Sequence, residues 1–72
     1  MSLLTQVIVA EKYGLRLDLE QLADILDVQP ATLRNQISAG RCAVPTYVDG
    51  GKRWADHRDV AAHFDAMRAG AQ

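Results

Sequence analysis

The sequence predicts one domain over residues 1–72, mainly α-helical with a small β-hairpin. Three observations carry this expectation. Apolar residues recur at helical spacing through residues 19–40, a Gly-Gly pair separates two short aromatic-bearing runs near residue 50, and apolar helical patterns flank both regions. Eight Lys and Arg stand against nine Asp and Glu, for a net charge of −1 at neutral pH. A chain of 72 residues builds a modest core, so a small stability is expected and assembly on a partner matters.

A first helix is expected over 3–13. Leu3, Leu4, Val7, Ile8 and Ala10 form a broad apolar face after Ser2, and Gly14 follows Tyr13 as the stop. That face is expected to pack beneath the helices that follow, with a dimer contact as its second use. The segment is too short, and too charged at Glu11 and Lys12, to span a membrane. It has neither a basic leader nor a cleavage site, so it does not read as a signal peptide.

The second helix is expected over 19–26. Leu19, Leu22, Ala23 and Leu26 fall at i, i+3, i+4 and i+7, which turns Glu20, Gln21 and Asp24 toward water. Asp18 is a good N-cap, and Gln21 can answer it as in a capping box. A third helix follows over 30–39, with Pro30 at its first position and Gly40 where a left-handed cap falls. Between them lie Asp27, Val28 and Gln29. The first of these positions usually holds glycine in a helix-turn-helix, but Asp tolerates the left-handed conformation. Val28 points into the corner, and the small Ala23 lets the two helices cross closely.

On the third helix Leu33 and Ile37 face the core, which puts Ala31, Asn35 and Ser38 on the far side and Arg34 on a flank. In a helix-turn-helix this helix enters the major groove. There Asn can bond adenine, Arg can bond guanine, and Ala can touch a thymine methyl. The candidate DNA contacts are therefore Gln29, Ala31, Thr32, Arg34, Asn35, Ser38 and Arg41. The competing reading is plain: pairs of amphipathic helices occur in many small helical domains, and these are ordinary surface residues.

A hairpin is expected over 46–55, after Pro45 ends a short connector. If Gly50 and Gly51 form the loop, Tyr47 stands opposite Trp54 and Asp49 opposite Lys52. The two aromatics are expected to belong to the core and to fix the register. A hairpin directly after a recognition helix is a wing, so the predicted fold is a winged helix-turn-helix. Gly50, Gly51, Lys52 and Arg53 become candidate backbone contacts, with Arg58 beside them, unless they only keep the hairpin soluble. A last helix over 57–68 has Asp56 and Asp59 available as caps. It carries Val60, Phe64 and Met67 on one side, and the chain is expected to fray from Ala69.

Charge is unevenly distributed. Residues 1–29 hold two cations and five carboxylates, net −3. Residues 30–58 hold Arg34, Arg41, Lys52, Arg53 and Arg58 against Asp49 and Asp56, net +3. The positive block coincides with the proposed DNA-contacting helix and wing, as expected of a DNA binder. Catalytic chemistry has little to draw on. Cys42 is the single cysteine, so no internal disulfide forms and a reducing cytoplasm suits the chain. His57 and His63 stand six apart, which does not suit two metal ligands on one helix face, and the Asp59 and His63 spacing is common for a surface pair. With no phosphate loop, nucleophile elbow or paired carboxylates, no enzyme, cofactor, metal or small-molecule substrate is expected.

The order of segments VAEKYG, LDLEQLADILDVQPATLRNQISAG, VPTY and DVAAHF resembles the pyocin activator protein family over residues 4–68. Its neighbours are the small excisionase-like phage regulators with a winged helix-turn-helix. Two departures stand out: Asp27 replaces the usual turn glycine, and Gln36 occupies a place often apolar in the excisionase-like relatives. The resemblance implies a sequence-specific DNA-binding regulator of phage or mobile-element origin in a bacterial cytoplasm. Transcription activator, repressor and excisionase (recombination directionality factor) all fit. The implied partner is double-stranded DNA, bound as a homodimer or cooperative array, because one small module covers little DNA. The alternative class is a small protein-interaction module that binds and blocks a host or phage protein. The mildly acidic total and the apolar N-terminal helix favour it.

Overall fold

The computed structural model describes residues 3–71. Ser2, after which the first helix was expected, lies outside them, as do Met1 and Gln72. The order of elements is α1 (Leu3–Tyr13), β1 (Arg16–Asp18), α2 (Leu19–Leu26), α3 (Pro30–Ser38), β2 (Tyr47–Asp49), β3 (Lys52–Asp56) and α4 (His57–Ala69). Among the described residues, four helices accompany a three-stranded antiparallel sheet of order β1-β3-β2.

Local signals set most of the boundaries. α1 stops at Gly14, whose φ of 92° no other side chain adopts readily and whose N–H donates to Ala10 O at 2.8 Å. Asp18 caps α2 by accepting the Gln21 N–H at 2.8 Å, while Gln21 Oε1 accepts the Asp18 N–H at 3.0 Å, a complete capping box. Asp27 takes the left-handed conformation (φ 57°), and Val28 N–H then closes onto Ala23 O at 3.0 Å. α3 opens on Pro30 and ends at Ser38, where Gly40 N–H donates to Ile37 O and Arg41 N–H to Gln36 O. Those two bonds make a Schellman closure around a left-handed Gly40.

The strand β1 is an addition to the expected fold. Leu17 is fully buried and pairs with Ala55, while Arg16 pairs with Asp56 and Asp18 with Trp54. Three residues are too few to show an alternation, and their partner strand lies near the other end of the chain. Side chains alternate across a strand, so Leu17, Ala55 and Arg53 share the inner face of the sheet. Arg16, Tyr47, Asp49, Lys52 and Trp54 share the outer one.

The core gathers Val9, Leu17, Leu22, Ala23, Leu33, Val44, Ala55 and Val60, with Leu19, Ile25, Leu26, Val28, Ile37, Cys42 and Phe64 packed against it. Four expectations are corrected here. In α1 only Val9 is buried, whereas Leu3, Leu4, Val7 and Ile8 are 44–72% exposed. The helix packs on α4 by the opposite side, where Thr5 Oγ1 donates to Asp65 Oδ1 at 3.0 Å, so its richest apolar face points outward. Met67, expected on one side of α4 with Val60 and Phe64, is 60% exposed in the last turn of that helix, whereas Val60 is buried and Phe64 packs against the core. Tyr47 and Trp54 face each other as expected, but on the outer face of the sheet rather than in the core. Ala69 is the last residue of α4 rather than the start of a frayed tail. Among the described residues no helix is long and apolar enough to cross a membrane.

Candidate nucleic-acid interface

The two elements that carry the candidate residues are held at fixed angles by backbone geometry. The left-handed Asp27 turns α3 away from α2, and the buried Ala23 and Leu33 let the helices approach. Leu33 and Ile37 then face inward, which leaves Ala31, Thr32, Arg34, Asn35 and Ser38 exposed on α3. Gln29 is exposed at the helix N-cap and makes no side-chain capping bond. Gln36 is half-buried, on the flank of α3 opposite Arg34 by helical projection.

The hairpin closes through Gly50 and Gly51, both at positive φ (62° and 79°), as a type I′ turn requires. Asp49 pairs with Lys52 and Tyr47 with Trp54, the register expected from sequence. Because Lys52 and Arg53 are adjacent in β3 they leave the sheet on opposite faces. Arg53 turns inward toward α3, and its Nη1 donates to Thr46 Oγ1 at 2.9 Å. Lys52 lies near the outer face, with Nζ 5.8 Å from the Trp54 ring centroid.

Between α3 and the hairpin opens a cleft of about 340 Å³ lined by Leu19, Arg34, Ile37, Ser38 and Arg53. An adjoining recess of about 290 Å³ shares Leu19, Arg34 and Arg53 and adds Asp18, Glu20 and Lys52. Leu19 and Ile37 give the cleft an apolar floor, and the two arginines give it charge. Of the expected contacts, Arg34, Ser38, Lys52 and Arg53 are therefore brought together. Ala31, Thr32 and Asn35 lie on the open surface of α3, and Arg41 follows its C-terminal end.

Arg58 is not part of this group. Its Nε and Nη2 donate to the two oxygens of Asp56 at 3.0 and 3.1 Å, and its backbone N–H donates to the same carboxylate, which caps α4. The arrangement holds the Asp56 carboxyl below its ordinary value, through the Arg58 side chain first and against the effect of burial. It raises Arg58 correspondingly, chiefly through that hydrogen bond.

Sequence reasoning gave no role to Arg16. Its Nη1 donates to Asp49 Oδ2 at 2.8 Å, and its guanidinium carbon lies 3.9 Å from the Trp54 ring centroid. The hydrogen bonds to Asp49 and then Tyr47 raise Arg16 above its ordinary value. The two carboxylates of the positive block, Asp49 and Asp56, are thus engaged by Arg16 and Arg58. Arg34, Arg41, Lys52 and Arg53 have no carboxylate partner among the described residues.

Comparison with family models, with curated proteins and with solved structures found no match, so the functional reading stands on the residues and their geometry.

Proposed function

We propose that this chain is a sequence-specific DNA-binding protein of winged helix-turn-helix type, with α3 as recognition helix and the β2–β3 hairpin as wing. One observation carries the reading: Arg34 and Arg53, neither in an ion pair with a carboxylate among the described residues, line the same open cleft between α3 and the hairpin. Cations held this way suit phosphates passing between helix and wing, since neutralising each phosphate releases condensed counterions. The exposed Ala31, Arg34, Asn35 and Ser38 on α3 supply base-edge contacts of the usual kinds.

The resemblance to pyocin activator and excisionase-like proteins points to regulation of phage or mobile-element genes in a bacterial cytoplasm. A transcription factor and an excisionase use the same surface. Recovering bound fragments from the source genome separates them, because one site lies beside a promoter and the other at an attachment site.

The decisive measurement is anisotropy of a labelled mixed-sequence duplex across salt concentrations. Binding should weaken with a log-log slope of about 0.9 per phosphate contacted. Arg34→Gln combined with Arg53→Gln should remove most of the binding at low salt. Undiminished binding by that double variant, or none by the parent chain, rejects the proposal.

A second reading is a protein-interaction module. Glu20 and Asp18 border the recess, and the outward face of α1 is apolar, neither of which a DNA surface needs. A complex with a host protein that survives loss of Arg34 and Arg53 would favour it.

A further inference from the structure

Among the described residues, four of the eight exposed large hydrophobic side chains lie together on the outward face of α1. Leu3 is 72% exposed, Leu4 68%, Ile8 57% and Val7 44%, and no charged residue interrupts them before Glu11. We propose that this face is an isologous contact with a second copy of the chain, the two α1 helices crossing antiparallel about a two-fold axis.

The pattern itself selects the occupant. Leu3-Leu4-Thr5-Gln6-Val7-Ile8 reads apolar, apolar, polar, polar, apolar, apolar in both directions, and Thr5 and Gln6 turn away from the exposed row. An antiparallel copy therefore sets Leu3 against Ile8 and Leu4 against Val7, and the same pairs recur on the other side of the axis. A two-fold contact requires this self-complementarity, whereas a different protein does not. Charge agrees. The first turn of α1 holds no acidic residue, while its last turn holds Lys12. In the antiparallel register the exposed Glu11 falls one turn beyond Ile8, toward the N-terminal end of the other copy's α1, where a carboxylate is favourable. An anionic lipid surface fits less well, because the row from Leu3 to Ile8 holds no Lys or Arg of its own.

Size decides how strong the contact is. The four side chains present on the order of half the ~800 Å² per partner that a stable interface buries. Free chains should associate weakly. Two copies held side by side by one duplex should pair readily, because their effective concentration is then in the millimolar range. This cooperativity rests on the proposed DNA-binding function, but the weak association of free chains does not.

The test is sedimentation equilibrium of the free chain up to millimolar concentration, beside stoichiometry on a duplex long enough for two copies. The parent chain should self-associate, and Ile8→Glu, an exposed substitution, should weaken that association more than ten-fold with an unchanged circular dichroism spectrum. Glu11→Lys should weaken it about two- to five-fold, the size of a charge effect at a helix end. A free chain that stays monomeric throughout the range overturns the proposal. So does association indifferent to Ile8→Glu, which would place the contact elsewhere. If free chains associate through α1 yet bind no duplex, this inference stands and the DNA-binding reading falls.

Discussion

Arg16 and Trp54 are stacked: the guanidinium carbon lies 3.9 Å from the ring centroid, and Arg16 Nη1 also donates to Asp49 at the hairpin turn. Trp54 completes the triangle by donating its indole N–H to the Asp49 carbonyl at 3.1 Å. A strand of three residues thereby braces the tip of the hairpin, since Arg16 belongs to β1 and Asp49 to β2, with β3 between them. Arg16→Ala should free the tip while leaving the core intact. The chain has a single tryptophan, so its emission should shift to longer wavelength, and amide exchange at Asp49 and Lys52, the pair that closes the turn, should speed up several-fold. Arg16→Lys should restore little, because an ammonium cannot reproduce the flat stack. Unchanged exchange in both variants would mean that the stack does not brace the hairpin.

Burial separates two sets of apolar residues that look alike in the sequence. Leu17 and Leu33 are fully buried, whereas Leu4 is 68% exposed. Leu17→Ala or Leu33→Ala should cost about 2–5 kcal/mol, a large share of the stability of so small a domain. Leu4→Ala should stay within about 0.5 kcal/mol in a dilute, monomeric sample. Urea denaturation of the three variants checks this, and a large loss at Leu4 would contradict the outward placement of the α1 face.

The contrast between these residues also shows what the sequence could reveal. Features decided within a few residues were legible: the Asp18 and Gln21 box, Pro30, the left-handed Asp27 and Gly40, and the glycine pair with its Tyr47 and Trp54 register. Features decided by distant partners were not. Periodicity located the apolar face of α1, but the position of α4 decides that Val9 rather than Ile8 turns inward. Val44 is buried from an irregular segment with no period to reveal it. The candidate interface divides in the same way. Arg34, Ser38 and Arg53, named as candidate contacts from their types and helical positions, line one cleft, but the cleft itself depends on how α3 meets the hairpin and was not legible. Arg58 was expected with them, but a charge count by segment is blind to its pairing with the cap residue Asp56.

The Asp27 turn gives a prediction about backbone strain. Its φ of 57° is left-handed, which disfavours side chains branched at Cβ by about 1–2 kcal/mol and suits glycine. Asp27→Gly should hold or raise the melting temperature, and Asp27→Val should lower it by several degrees. Equal melting temperatures for the two variants would show that the turn relaxes to another conformation.

Acidification should weaken α4 first. The Asp56 carboxyl is held below its ordinary value of 3.8, first by the Arg58 side chain and also by the Arg58 backbone N–H. Between the folded and unfolded values the unfolded chain binds more protons, so stability rises with pH there. The contribution is therefore complete above about pH 4 and is lost as pH falls through the lower, folded value. Urea midpoints measured from pH 6 down to pH 2.5 should fall for the parent chain. For Asp56→Asn the fall should be shallower, because that variant keeps a capping oxygen but no titrating carboxylate.

Glu20 offers the sharpest separation of the two functional readings. It borders the recess that also holds Arg34, Lys52 and Arg53, and unlike Asp18 it makes no capping bond that would explain its presence there. If phosphates occupy the cleft, the Glu20 carboxylate repels them. Glu20→Gln should then tighten duplex binding several-fold at low salt, with the gain fading as screening shortens the reach of the charge. If instead a basic segment of another protein enters the recess, Glu20 is its attractive partner, and Glu20→Gln weakens that complex. Arg34→Gln works oppositely in each case, weakening a phosphate contact and relieving a repulsion toward a basic peptide. The signs of these two substitutions, read by anisotropy on a labelled duplex and on a labelled basic peptide, decide which partner the cleft is charged to receive.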